Sequence, residues 1–257
     1  FGGYPAGPGG LAARIMQVPI VIHEQNAVAG MTNRHLAKFA TKVLTAFPDV
    51  LPGGECVGNP IRPEIDTVGR DRISNGPQPS DSTRVLVIGG SQGAKALNEQ
   101  LPEKLKEVAG QYGIEVTHQT GVVGKNQVDE QYQALDLAAT VVAFISRMDE
   151  AYLEADIVVC RAGALTVSEL ASAAMPSVLI PFPKAVDDHQ TKNGQQLQSA
   201  GAAVVVQEHD LDIFVAKLSD ILRAPETLTQ MAHAARSVAK PEATQRVADA
   251  VMEVVNG

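Results

Sequence analysis

One acid stands at the centre of the residues whose types and spacing could do chemistry: Glu169, in Ile157-Val158-Val159-Cys160-Arg161-Ala162-Gly163-Ala164-Leu165-Thr166-Val167-Ser168-Glu169. The apolar run from Ile157 to Cys160 predicts a buried strand, the glycine a turn, and the residues from Thr166 to Ala174 a helix. Such a corner in a parallel sheet opens at the carboxyl ends of the strands. Free N–H groups at the helix start attract an anion there. Two roles for Glu169 follow from the residues alone. It can hold ribose hydroxyls of a nucleotide whose phosphates meet the helix start. Equally, it can lie in the first turn and reach back to Thr166 as half of a capping box.

Other groups could join it. Gly89-Gly90-Ser91-Gln92-Gly93 follows a predicted strand (Arg84 to Ile88) and opens a helix. Glycines let a backbone approach a phosphate, and Ser91 can donate to it or cap the helix. Neither a GxGxxG nor a GxxxxGK[ST] pattern is present. Arg62, between Pro60 and Pro63, can clamp an anion or serve as a surface charge. His23-Glu24-Gln25-Asn26 ends a short apolar strand; His23 and Glu24 offer acid–base chemistry, with a structural histidine as the plainer reading. Asp188-His189-Gln190 opens a helix, where Asp188 suits the cap and Gln190 brings a donor and an acceptor for sugar hydroxyls. Asp210-Leu211-Asp212 has the spacing of a metal-holding acid pair but precedes an amphipathic helix, so it reads as a cap. No metal site and no cofactor are expected.

These groups need a scaffold. Six predicted strands alternate with helices between Arg84 and Val206, which implies a doubly wound parallel α/β sheet. Pro102 is expected to kink or restart the helix after the glycine turn. The proline-stiffened stretch Val57–Pro63 marks a boundary with a preceding unit. In that unit Phe1 to Gly10 reads as a glycine-rich loop before a short helix from Leu11 to Met16. The last helix places Ala243, Val247, Val251 and Val254 on one face.

Across 257 residues, 45% are hydrophobic, enough for a sizeable core, and the net charge is -8. That charge disfavours broad nucleic-acid binding, which needs Lys and Arg to neutralise phosphates. The two cysteines, Cys56 and Cys160, form no CxxC and suit a reducing compartment. No apolar run approaches the roughly 20 residues of a membrane-spanning helix. The opening Phe1-Gly2-Gly3-Tyr4 reads as mid-loop, so an amino-terminal portion is expected before it.

Taken in order, Gly2-Gly3-Tyr4 with Gly7-Pro8-Gly9-Gly10, His23–Asn26, Gly58-Asn59-Pro60-Ile61-Arg62, Gly89–Ala94 and Ala164–Glu169 resemble the MurG family, the N-acetylglucosaminyltransferases of peptidoglycan synthesis. The resemblance spans nearly the whole chain. It implies a GT-B fold of two Rossmann-like domains facing across a cleft. Residues 1–57 would be the end of the first, acceptor-side domain and 58–238 the UDP-GlcNAc-binding domain. Residues 239–257 would be a helix packing back on the first domain. It implies inverting, metal-independent transfer of GlcNAc from UDP-GlcNAc to lipid I, giving lipid II and UDP.

By the same resemblance, Glu169 would hold the ribose, Ser91 and its loop the diphosphate, and Arg62 and the backbone at Ile145 the uridine end. Ala164, Leu165, Thr166, Val167 and Ser168 would line the site, and Asn26 and Gln190 would meet the GlcNAc hydroxyls. The base would lie in a further glycine-rich loop, ending in a His, that the family carries before the part seen here; His23 and Glu24 are weaker candidates. The chain alone is therefore expected to be unstable or inactive, and to lack much of the family's membrane-contact patch. The implied surroundings are the cytoplasmic face of the inner membrane, a peripheral contact, and a cell-wall or division complex. Two other readings stay open: an enzyme like UDP-GlcNAc 2-epimerase, and a non-catalytic nucleotide-sugar-binding subunit.

Overall fold

The computed structural model describes residues 6–76, 81–90 and 94–256. The chain begins with α1 (Ala6–Ile15), β1 (Val21–Glu24), α2 (Met31–Leu36), β2 (Lys42–Thr45) and β3 (Glu55–Cys56). The three strands form a parallel sheet in the order β1-β2-β3. Helix α1 runs through Gly7–Gly10, where the sequence suggests a loop. Gly10 shows why: a Cβ there would lie 2.4 Å from Leu36 Cδ2, so the missing side chain lets α1 rest on α2.

After α3 (Pro63–Asn75), strands and helices alternate: β4 (Thr83–Ile88), α4 (Lys95–Ala109), β5 (Ile114–Gln119), α5 (Lys125–Ala134), β6 (Ala139–Val142), α6 (Met148–Glu154), β7 (Ile157–Cys160), α7 (Ala164–Ser172), β8 (Ser177–Leu179), α8 (His189–Ala200) and β9 (Ala203–Val205). Helices α9 (Phe214–Leu222), α10 (Pro225–Ser237) and α11 (Ala243–Asn256) follow. The six strands are parallel, in the order β6-β5-β4-β7-β8-β9. Counted within this sheet, that is 3-2-1-4-5-6, with the order reversing between β4 and β7.

Alternation along β4 feeds two cores, because successive strand side chains face opposite sides. Val85 and Val87 join Leu97, Leu101 and Leu105 of α4 with Phe214 and Leu218 of α9. Leu86 joins Ile65 and Val68 of α3, Val158 and Cys160 of β7, and Val167 and Leu170 of α7. Both faces of the sheet are thus covered, as parallel sheets require.

Two helices depart from expectation. α4 continues through Pro102, which sits buried inside a 15-residue helix rather than restarting it. Burial of Leu101 and Leu105 on either side outweighs the missing backbone donor. α3 has few apolar residues and little periodicity, so the sequence does not reveal it. Its Pro63 at the first turn starts the helix, and Ile65, Val68 and Gly69 are buried. A Cβ at Gly69 would lie 1.8 Å from the Ser172 carbonyl oxygen, so this glycine is what brings α3 against α7.

Helix α11 returns to the first sheet. Ala250 packs with Leu44 and Val57, and Arg246 donates to the Cys56 carbonyl at 3.2 Å and pairs with Glu55 at 2.8 Å. Among the described residues no helix is long and apolar enough to cross a membrane.

Candidate active site

In an open α/β sheet the crevice forms where the strand order reverses, outside the carboxyl ends of the strands. Here that point joins the turn after β4 to the loop after β7, whose last residues, Ile88 and Cys160, are register partners. A Cβ at Gly89 would lie 2.7 Å from the Gln119 carbonyl oxygen, and Gly90 has φ +77°, so this turn requires both glycines. Ser91, Gln92 and Gly93 lie outside the described residues. A cavity of about 510 Å³ opens beside the turn, with Lys95, Arg161, Phe182, Gln190 and Glu208 in its wall. Arg161 is held by the Ile180 and Pro181 carbonyls, each at 3.1 Å, and by an ion pair with Glu208.

Helix α7 starts earlier than the sequence suggests, at Ala164, with Gly163 as N-cap and no side-chain cap hydrogen bond. The capping box is therefore not formed. Thr166 lies inside the helix, and Glu169 is beyond the first turn. Extended backbone at Gly163 (φ -63°, ψ 146°) makes the entry, and the Val167 N–H closes onto the Gly163 carbonyl at 2.9 Å. The N–H groups of Ala164, Leu165 and Thr166 precede that bond, at the positive end of the helix.

Glu169 instead faces Arg62 and Tyr152. Arg62 Nη2 donates to one carboxylate oxygen and the Tyr152 hydroxyl to the other, both at 3.3 Å. The Glu169 side chain keeps 20% exposure, while Arg62 is 51% exposed. Burial, followed by the charge of Glu169, pushes the Tyr152 phenol well above its ordinary pKa, so it remains a donor. Burial also pushes the Cys160 thiol up to about 12, with the Glu169 charge adding to it, which leaves that sulfur unreactive at neutral pH. A smaller cavity, about 230 Å³, lies by Arg62, Glu64, Ser146, Arg147 and Asp149. Ile145, in the loop before α6, is half-buried against the second core beside it.

The other expected lining residues divide. Leu165 is 50% exposed at the helix start. Ala164 is buried and Thr166 half-buried. Val167 is turned into the core and its N–H is already bonded, so it anchors α7 and borders neither the cavity beside the β4 turn nor the one by Arg62. The Ser168 hydroxyl donates to the Ala164 carbonyl at 3.0 Å and accepts from Asn59 Nδ2 at 3.0 Å, tying α7 to the connector.

At the end of β1 both acid–base candidates are occupied. Glu24 is buried, and its carboxylate accepts from the Asn26 and Gly30 N–H groups, each at 3.0 Å, and from Asn33 Nδ2 at 2.8 Å. His23 Nε2 donates to the Gly58 carbonyl at 2.8 Å, while burial, the largest influence, lowers its pKa. Asn26 Oδ1 accepts from Asn193 Nδ2 at 3.2 Å. Gln190 lines the cavity beside the β4 turn, and its Oε1 accepts from the Phe182 N–H at 2.9 Å. Asp188 occupies the N-cap position of α8 in left-handed backbone (φ 52°), next to Asp187 at φ 53°, and makes no side-chain cap hydrogen bond. Its carboxylate accepts from the Thr191 hydroxyl at 2.6 Å.

Tyr152 and Asn193 escape the sequence reading. An aromatic in a short amphipathic helix signals only core, and an Asn within a polar helix signals nothing until its partners are known.

Comparison with known proteins identifies the family and the fold. Residues 84–250 match the glycosyltransferase family 28 C-terminal domain and residues 1–45 its N-terminal domain. The UDP-N-acetylglucosamine–N-acetylmuramyl-(pentapeptide) pyrophosphoryl-undecaprenol N-acetylglucosamine transferase of Pseudomonas paraeruginosa is 47% identical over 262 residues, covering all of this chain and 72% of the relative. Its Pseudomonas fluorescens counterpart is 45% identical with the same coverage. The crystal structure of Acinetobacter baumannii MurG superposes with a TM-score of 0.88 at 41% identity, over 98% of this chain and 72% of that one. A putative UDP-N-acetylglucosamine 2-epimerase of Listeria monocytogenes shares the fold alone, with a TM-score of 0.64 at 14% identity over 94% of this chain and 69% of that one.

The strand order and these matches define a glycosyltransferase of the GT-B fold. Within that class the chain belongs to the MurG family.

Proposed function

We propose that this chain carries the donor half of an enzyme that transfers GlcNAc from UDP-GlcNAc to the muramoyl 4-hydroxyl of lipid I, yielding lipid II and UDP. The observation that carries the proposal is Glu169, its carboxylate oriented by Arg62 and Tyr152 beside a helix start with no side-chain cap. In this reading the carboxylate takes the ribose hydroxyls, Arg62 and the Ile145 backbone flank the uracil, and the diphosphate meets Ser91 and the N–H groups of Ala164–Thr166. Gln190 reaches the GlcNAc through its NH₂ group, and Asn26 through whatever capacity its bond to Asn193 leaves. Residues 58–238 form the donor domain, 1–57 belong to the acceptor-side domain, and 239–257 join the two.

In the reaction the bond from GlcNAc C1 to the diphosphate oxygen breaks, and its electron pair leaves with UDP. The acceptor oxygen bonds to C1 from the opposite face and gives its proton to a base. A helix terminus and fixed N–H donors stabilise the departing charge without a metal. Glu24 and His23 are committed to protein partners, so the base is assigned to the family's amino-terminal glycine-rich loop and these two to positioning. A peripheral membrane contact at the cytoplasmic face fits Leu11, Ile15 and Met16, all more than half exposed around α1 and next to Arg14. Participation in a cell-wall or division complex belongs to the same reading.

Product analysis tests the proposal on the chain joined to its family's amino-terminal loop. Lipid II and UDP formed only when lipid I is present support it. UDP released with an epimerised sugar in the absence of acceptor supports the 2-epimerase reading instead. Binding of UDP-GlcNAc with neither product supports a non-catalytic subunit.

A further inference from the structure

One guanidinium ties together three strand ends at the cavity beside the β4 turn. Arg161 follows β7 and its side chain is 17% exposed. Nη1 donates to the Ile180 and Pro181 carbonyls, just after β8, each at 3.1 Å. Nη2 pairs with Glu208, just after β9. The same guanidinium lies over the Phe182 ring, 5.5 Å from its centroid. Arg161, Phe182, Gln190 and Glu208 all line the cavity.

The tie leads to Gln190 through a single peptide unit. The Pro181 carbonyl and the Phe182 N–H belong to one trans peptide, so they point in opposite directions. Arg161 grips the carbonyl side. On the other side the N–H donates to Gln190 Oε1 at 2.9 Å. Pro181 and Pro183 have no N–H, so in this tripeptide the bond can come from Phe182 alone. A backbone N–H donates only, which identifies the bonded Gln190 atom as the oxygen and leaves the amide donors for another partner. Charge on the carbonyl side also polarises the unit and strengthens its N–H.

We propose that Arg161, balanced by Glu208, is a positioning residue for the sugar end of the donor: through the Pro181–Phe182 peptide it fixes the Gln190 amide so that an N–H, not the oxygen, is offered to a GlcNAc hydroxyl. The proposal rests on the UDP-GlcNAc reading above. It separates Arg161 from a diphosphate contact, which UDP and UDP-GlcNAc would share.

Arg161→Lys keeps a charge opposite Glu208 but cannot fork onto two carbonyls. UDP and UDP-GlcNAc are titrated into the full chain, this variant, Gln190→Met and the double variant, and hydrogen exchange at the Phe182 amide is followed without ligand. In Arg161→Lys, UDP-GlcNAc affinity should fall about fivefold, the worth of one hydrogen bond, while UDP affinity stays within about twofold. The Phe182 amide should exchange about tenfold faster as the loop opens locally. In the Gln190→Met background the Arg161 change should cost UDP-GlcNAc less than about twofold, because its route is gone. Equal losses for the two ligands, no loss for UDP-GlcNAc, or full additivity in the double variant overturns the proposal. Glu208→Gln leaves both carbonyl bonds available and should move UDP-GlcNAc affinity and Phe182 exchange in the same directions by smaller factors. It decides the matter where Arg161→Lys fails to fold, and unchanged values in it overturn the proposal equally. UDP-GlcNAc that fails to bind the parent chain overturns the donor reading itself, before any variant is compared.

Discussion

Asn193 Nδ2 lies 3.2 Å from Asn26 Oδ1, joining α8 to the loop after β1 across 167 residues. The same side chain accepts from the Ala27 N–H at 2.8 Å and donates to the Ala162 carbonyl at 3.3 Å, at the entry to α7. Asn193 is fully buried. It therefore ties the first sheet to the loop that carries Arg161 and Gly163. Asn193→Ala removes every one of these partners at once. Each buried group left unpaired costs about 1–3 kcal/mol, so the variant should lose at least about 2 kcal/mol in urea unfolding. A loss below about 0.5 kcal/mol would show that the link carries no load.

Tyr152 orients Glu169 without any need to touch a ligand. Tyr152→Phe keeps the ring in the second core and deletes only the donor. UDP-GlcNAc affinity should fall about three- to tenfold, about 0.7–1.4 kcal/mol, the range of one net hydrogen bond. Stability should stay within about 1 kcal/mol of the parent. Unchanged affinity in a calorimetric titration would remove Tyr152 from the site.

Gly69 sets the distance between the helix that follows Arg62 and the helix that carries Glu169. Gly69→Ala places a methyl 1.8 Å from the Ser172 carbonyl oxygen, a backbone atom that cannot step aside cheaply. The expected cost is about 3 kcal/mol, the upper end for overpacking, together with weaker donor binding as α3 moves. Thermal unfolding and titration on the same sample check both.

The pH dependence has a definite sign. His118 is fully buried beside Tyr132, and burial lowers its pKa from 6.5 to about 4. Between those values the unfolded chain binds a proton that the folded chain refuses. Stability from this group is thus complete above pH 6.5 and declines on acidification toward pH 4, by about 1.4 kcal/mol per unit. The lowered pKa of His23 acts in the same direction. Urea unfolding at pH 7.5, 6 and 5 should show this slope, and His118→Asn should flatten it whatever its baseline stability. An identical slope in the variant would assign the acid sensitivity elsewhere.

How far the sequence reveals this molecule depends on what kind of interaction decides each part. The parallel sheet is legible because β4 and β7 carry apolar runs that each end in a glycine turn, and burial on both faces demands that composition. Helix α3 is not, because a steric allowance at Gly69 and two buried apolar residues hold it rather than a periodic stripe. At the site, Glu169 stands out by type and position. Its neighbours mislead, since Thr166 to Glu169 has the spacing of a capping box while the helix starts two residues before Thr166, at Ala164. Only tertiary contact separates the two roles: Arg62 and Tyr152 arrive from elements 107 and 17 residues away. His23 and Glu24 look available in sequence for the same reason, since their partners Gly58, Gly30 and Asn33 are brought in by the fold.

The Arg62–Glu169 pair adds little to folding, because Arg62 is half exposed and such pairs contribute about 0–1 kcal/mol. The pair acts in binding, by orienting the Glu169 carboxylate. Calorimetric titration of UDP-GlcNAc into the parent chain and into Glu169→Gln tests this most directly. Affinity should fall 10- to 100-fold, about 1.5–3 kcal/mol for a charged hydrogen-bonding group, with unfolding stability changed by less than about 1 kcal/mol. Equal affinity in the two proteins, or a loss of stability as large as the loss of binding, would contradict it.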